Sequence, residues 1–198
     1  MKRITMALCA CLLLMTFSGC SSKSEEAEQK DLMKGTHHVE ITVKDRGKIA
    51  VELDADTAPI TVTNFIKLAK DGFYDGLTFH RIIEGFMIQG GDPKGDGTGG
   101  SDETIKGEFT NNGVDNSIEH KRGVISMARA QDPDSGSSQF FIMLEDTASL
   151  DGDYAAFGHV TSGMDVVDGI AKDAKVEDSN GTVAKENQPV IESIKVID

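Results

Sequence analysis

Cysteine is nearly missing from this chain: its 198 residues include only Cys9, Cys11 and Cys20, all close to the amino terminus. The rest can form no internal disulfide and offers no thiol for nucleophilic or redox chemistry, so its apolar core must hold it together. Basic residues are also scarce, with 20 Lys and Arg against 33 Asp and Glu and a formal net charge of −13. Phosphate binding needs clustered Lys and Arg, which excludes nucleic acid as a partner, and the acidic surface suits solubility outside the cell. The five histidines show no HExxH or similar spacing, so neither a catalytic metal nor a cofactor is expected. The apolar stretch "ITMALCACLLLMTF" has fourteen residues, short of the roughly 20 that span a bilayer.

That stretch instead fits a secretion signal over residues 1–19, with Lys2 and Arg3 as its charged head and Ser18-Gly19 as small residues before Cys20. Small residues before a cysteine resemble the lipobox of bacterial lipoproteins, although Phe17 stands where leucine is usual. The resemblance implies that Cys20 becomes the diacylglycerol-modified first residue of the mature chain. The mature protein would then sit on the extracytoplasmic side of the cell membrane. Losing Lys2 and Arg3 leaves 18 basic residues against 33 acidic ones, a net charge of −15. Residues 20–36, including "SSKSEEAEQKD", are polar and free of aromatic and β-branched side chains through Asp31, the composition of a disordered tether. As a flexible coil, its roughly 16 residues reach about 20–25 Å. Two acyl chains burying CH₂ groups at about 0.8 kcal/mol each make a stable anchor.

Residues 37–198 read as one mainly β domain. In "HVEITVKDRGKIAVEL", Val39, Ile41 and Val43 alternate with polar residues, as do Ile49, Val51 and Leu53 beyond an Asp45-Arg46-Gly47 turn, which predicts a hairpin with one buried face. Pro59 suits a first helical turn, Val62, Phe65, Ile66 and Ala69 recur at helical spacing, and Gly72 ends the helix. "GMDVVDGIAK" predicts a second short helix, and "PVIESIKVID" a last strand. No strand-helix-strand repeat is present, so a closed barrel is favoured over a doubly wound sheet. The glycine-rich "GGDPKGDGTGGSDE" places Asp92, Asp96, Gly97 and Glu103 in a partial calcium-loop pattern. Lys94 at its third position and the lack of flanking helices favour a solvated acidic turn instead. His37 and His38 are expected at the tether junction.

One segment stands apart. "FHRIIEGFMIQGGDP" sets Arg81 between two apolar runs. If "LTFHRII" is a strand, Phe79, Arg81 and Ile83 share one face, while His80 and Ile82 share the other. If "GFMIQGG" is the next strand, Phe86 and Gln89 need a bulge to share a face. By spacing alone, Arg81 is a solvent-facing strand residue.

With "GVISMARA", "GSSQFFIML" and "LDGDYAAFGHV" following in order, these blocks resemble the cyclophilins, the peptidyl-prolyl cis-trans isomerases, over roughly residues 38 to 198. The resemblance implies a closed eight-stranded antiparallel barrel capped by two helices, with the groove on its outside. It implies that Arg81 is catalytic, that Phe86, Met87, Phe141 and Leu150 wall a proline pocket, that Gln89 and Ala128 hold the substrate backbone, and that Gln139 is a further polar contact to the substrate. Tyr154 stands where many members carry a pocket histidine, and Ser149 where many eukaryotic members carry tryptophan. Both changes resemble bacterial members and imply weak cyclosporin binding. His80 is expected to be a structural histidine at the groove edge, because isomerisation transfers no proton. The expected partners are proline-containing unfolded or extended segments, bound by a monomer that assists folding of secreted or envelope proteins. The competing reading is a proline-binding module or holdase, which has no need for the arginine.

Overall fold

The computed structural model describes residues 32–198, so the signal and Cys20 lie outside the described residues. The predicted hairpin is β1 (Thr36–Val43) and β2 (Gly47–Asp54), paired with Val39 opposite Val51 and Ile41 opposite Ile49. All six of its alternating apolar residues are buried. His37 and His38 lie within β1 rather than before it, and Met33 and Gly35 already donate to Thr63 and Asp56.

Helix α1 (Pro59–Lys70) buries Val62, Phe65, Ile66 and Ala69, the predicted face. Its Ala58 N-cap offers no side-chain acceptor. Glu108 supplies one from 48 residues away, its carboxylate accepting from the N–H of Ile60 (2.9 Å) and Thr61 (2.7 Å). A negative group at a helix amino terminus meets unpaired N–H groups and the positive end of the dipole. Burial nevertheless raises the Glu108 pKa above its usual value. Phe65 projects from α1 into an aromatic cluster, with ring centroids 5.1 Å from Tyr74, 5.4 Å from Phe140 and 5.2 Å from Phe157.

The remaining strands are β3 (Phe79–Ile83), β4 (Met87–Gly90), β5 (Val124–Met127), β6 (Phe140–Met143), β7 (Ala156–Ser162) and β8 (Ile191–Val196). Helix α2 (Met164–Asp173) precedes β8, where a helix was predicted. The eight strands form one antiparallel sheet in the order β3-β4-β6-β5-β7-β2-β1-β8. The sheet is an open, curled half-barrel rather than the closed barrel expected. Its end strands β3 and β8 meet only beside the Thr78–Val190 bridge. Beyond it, residues 181–183 occupy the free edge of β3, with Ile82 N–H donating to Gly181 O and Val183 N–H to His80 O.

Strand β3 also departs from the simple alternation expected of it. Its pairing with β4 shifts between Phe79 (opposite Gly90) and Arg81 (opposite Gln89), making His80 the extra residue of a bulge. The alternation breaks there. Phe79 joins Ile82 in the interior, while Ile83 packs with the outer cluster. No bulge is needed in β4, because Phe86 lies in the preceding turn and donates its N–H to Ile83 O.

Candidate active site

An outward groove of about 470 Å³ lies against β3, β4 and β6. It brings together Arg81, Phe86, Met87, Gln89, Ala128, Phe141, Leu150, Tyr154 and His80. Gln139 lines an adjoining pocket and reaches the groove through Gln89. Met87 and Phe141 belong to an apolar cluster on the outer face of the sheet, with Phe86, Ala128, Leu150 and Tyr154 packed against it. The site is therefore an apolar depression with a polar wall, the usual make-up of a small-ligand pocket.

The polar wall has a defined direction. Gln139 Nε2 donates to Gly97 O (3.1 Å) and Gly99 O (2.7 Å), which turns its Oε1 toward Gln89 Nε2 at 2.9 Å. Gln89 Oε1 must then accept, and it does so from Arg81 Nη1 at 3.1 Å. Arg81 Nε donates on its other side to Asn180 O at 2.8 Å. Among the described residues Arg81 Nη2 has no partner, so this nitrogen remains available to a ligand. Ala128 donates its N–H to Gln139 O, leaving its carbonyl as the backbone group it can offer.

The glycine-rich loop is shaped from beneath. Asp92 is 1% exposed rather than solvated. Its carboxylate accepts from the N–H of Lys94, Asp96 and Gly97, and these bonds hold its pKa below the usual value against the opposing effect of burial. Bonded in this way, Asp92 braces the loop from within. Gly91 permits the turn into it: φ is +83°, and a Cβ would lie 2.5 Å from Ser138 O.

His80 is 4% exposed, and among the described residues neither ring nitrogen has a hydrogen-bond partner. Burial lowers its pKa, and the Arg81 charge adds to this against Asp92 and Asp96. The ring is therefore neutral near pH 7.

Four residues of this region, His120, Ser126, Arg129 and Asp151, carry no signal in the sequence. His120 stacks behind Phe141 at 6.1 Å and 17°, and Tyr154 meets Phe141 edge-on at 5.8 Å. Its Nδ1 donates to Asp151 (2.9 Å), so Nε2 accepts from the Ser126 hydroxyl (3.0 Å). This resembles a Ser-His-Asp arrangement, but Ser126 is wholly buried within β5 and no carbonyl substrate could reach it. The trio instead anchors the segment carrying Leu150 and Tyr154. Arg129 braces the same wall: its guanidinium lies 4.7 Å from the Tyr154 ring and 5.2 Å from Phe109, and Nε donates to Asp153 O at 2.9 Å. Residues 120, 126, 129 and 151 form no recognisable spacing, so only their meeting in space identifies them.

Residues 38–196 match the family described as cyclophilin type peptidyl-prolyl cis-trans isomerase/CLD. A peptidyl-prolyl cis-trans isomerase of Helicobacter pylori is 45% identical over 158 residues, covering 78% of this chain and 92% of its own. Peptidyl-prolyl cis-trans isomerase B of Bacillus subtilis is 49% identical over 144 residues, covering 73% and 92%. A crystal structure of a Cryptosporidium parvum cyclophilin, determined in the presence of the dipeptide Ala-Pro, is similar with a TM-score of 0.72 and 29% identity, covering 81% of this chain and 99% of that one.

Proposed function

The chain belongs to the cyclophilin-type peptidyl-prolyl cis-trans isomerase family and is a peptidyl-prolyl cis-trans isomerase, and we propose that Arg81 drives the isomerisation from the polar wall of the groove. Amide resonance sets a barrier of about 18–20 kcal/mol to rotation about an X-Pro bond. As the bond twists, the prolyl nitrogen leaves conjugation and gains a localised lone pair. A guanidinium N–H donates to that lone pair more strongly than to the planar amide, which is differential binding of the transition state. The unpartnered Nη2 of an otherwise immobilised Arg81 carries this reading. Arginine suits the task because its charge persists at any working pH and it does not act as a base.

In this reading Phe86, Met87, Phe141 and Leu150 receive the proline ring, with Tyr154 closing one side. Gln89 and the Ala128 carbonyl hold the flanking backbone, with Gln139 orienting Gln89 from behind. A charged hydrogen bond contributes about 1.5–3 kcal/mol, whereas a 10³–10⁵ acceleration requires about 4–7. The rest comes from orienting the substrate and excluding water. The ligand class, an X-Pro segment, is supported by the cyclophilin relative determined with Ala-Pro. The test is proline exchange by NMR in an Ala-Pro peptide: acceleration by the domain supports the enzyme, and binding without acceleration leaves a recognition module.

No step transfers a proton, and the buried His80 takes one up only below its reference pKa of about 6.5. The catalysed rate constant is therefore expected to stay flat between about pH 6.5 and 9. A sigmoid centred within that window would assign the chemistry to a titrating group and exclude this account.

We place the mature protein on the extracytoplasmic face of the cell membrane, attached through Cys20 and acting as a monomer on unfolded secreted or envelope proteins. The basis is the signal-like segment followed by small residues and Cys20. Cys20→Ser is expected to move most of the protein from the membrane to the soluble fraction with unchanged specific activity. Continued membrane retention would count against lipid anchoring at that residue.

A further inference from the structure

Arg81 is held from two sides, and only one of them belongs to the groove. Gln89 holds Nη1 from within, while the carbonyl of Asn180 accepts from Nε at 2.8 Å. Asn180 lies between α2 and β8 on a turn with no apolar packing of its own, since residues 177–180 are all exposed. Its flanks are joined by Glu177 N–H donating to Thr182 O at 2.7 Å and by the Val176–Val183 bridge, and its tip is tied by Asp178. One carboxylate oxygen accepts from the N–H of Asn180 (2.9 Å) and Thr182 (3.1 Å), and the other from the Thr182 hydroxyl (2.9 Å). Gly181 N–H closes on the Asp178 carbonyl at 3.1 Å. The tip is pressed against β3: Gly181 has φ +81°, and a Cβ there would lie 2.3 Å from Ile82 O. The Gly181 carbonyl accepts from Ile82 N–H at 2.8 Å, and Thr182 stands opposite Arg81 in an isolated bridge.

We propose that Asp178 is a positioning residue for the isomerisation: its carboxylate ties the tip of the 178–182 turn whose Asn180 carbonyl fixes Arg81 Nε, and so aims the guanidinium. This rests on the catalytic reading of Arg81. Held by Gln89 alone, the guanidinium plane can swing about the Nη1 contact, whereas acceptors on two different nitrogens set the plane. Without the carboxylate, the donors of Asn180 and Thr182 turn to water at small cost, because the turn is exposed. The Asn180 carbonyl then loses its fixed direction. The effect therefore falls on turnover rather than on folding.

The test uses the full chain in detergent, with peptide exchange measured by NMR for Asp178→Ala, Asp178→Asn, Arg81→Ala and the double alanine variant. A misplaced catalytic group can lower rates by about 10²-fold. A loosened one is expected to lower kcat about 3- to 10-fold in Asp178→Ala, with KM within about twofold. Asp178→Asn, which keeps an acceptor for the two N–H groups, should recover most of the loss. The Arg81 Nε resonance should broaden or shift in Asp178→Ala, and that substitution should lower nothing further in the Arg81→Ala background. Undiminished kcat in Asp178→Ala, beside a large loss in Arg81→Ala, overturns the positioning role alone. Undiminished activity in Arg81→Ala overturns the catalytic reading, and the positioning role with it. Should Asp178→Ala fail to fold, Thr182→Val removes one of the bonds and is expected to shift kcat the same way by a smaller factor. An unchanged kcat there overturns the proposal.

Discussion

Arg81→Ala is expected to lower the catalysed exchange of an Ala-Pro peptide by about 10- to 10²-fold, the loss that a charged hydrogen bond of about 1.5–3 kcal/mol implies. Thermal stability should barely change. Arg81 is half-buried on the outer face of β3, and the interior beneath depends on Phe79 and Ile82 instead. Its polar neighbours also keep other partners, since Gln89 remains bonded to Gln139 and the Asn180 carbonyl can turn to water. Arg81→Lys is expected to recover little. An ammonium carries the charge but cannot bond Asn180, bond Gln89 and present a third donor in one plane. Folded Arg81→Ala protein with activity within threefold of the parent would refute the mechanism. Recovery by lysine would show that charge alone suffices.

Phe65→Ala is expected to have the largest effect on stability, about 3–5 kcal/mol for truncating a fully buried phenylalanine. At about 2–4 °C per kcal/mol for a domain of this size, the melting midpoint should fall by about 6–20 °C. Phe65 is 0% exposed and stands within 5.4 Å, centroid to centroid, of three aromatic rings contributed by other segments. Relaxation around the void would require all three to move, and Phe140 lies in β6 beside Phe141 of the groove. Thermal melting measures the loss, and a fall below about 1 kcal/mol would show that the cluster repacks freely. Residual activity well below the new midpoint should stay near that of the parent, which separates this effect from that of Arg81.

Legibility in the sequence followed burial. β1, β2 and α1 each bury one face, so their apolar residues repeat with the period of the element and were readable. β5 and β6 are buried at all four positions, because the core lies on one side and the apolar cluster under the groove on the other. A short run buried on both faces has no period to read. The same two-sidedness explains the error at β3. Alternation joined Phe79 to Arg81, but the bulge at His80 returns Phe79 to the interior and leaves Arg81 at the groove. A bulge is a matter of register with a partner strand, and the partner is not written in the local pattern.

By itself the sequence determined the composition that rules out disulfides and thiol chemistry, the one-faced hairpin and helices, and the ordered blocks whose resemblance pointed to a proline isomerase with Arg81 at its centre. Only the tertiary structure decided that the half-barrel stays open, that Glu108 caps α1 from 48 residues away, and that Asn180 and Gln89 hold Arg81 from opposite sides. The physical reason is range. Periodicity and turn chemistry act over a few residues, whereas the bonds that aim Arg81 close across 99 residues on one side and 8 on the other, and the longer of these exists only once the chain has folded.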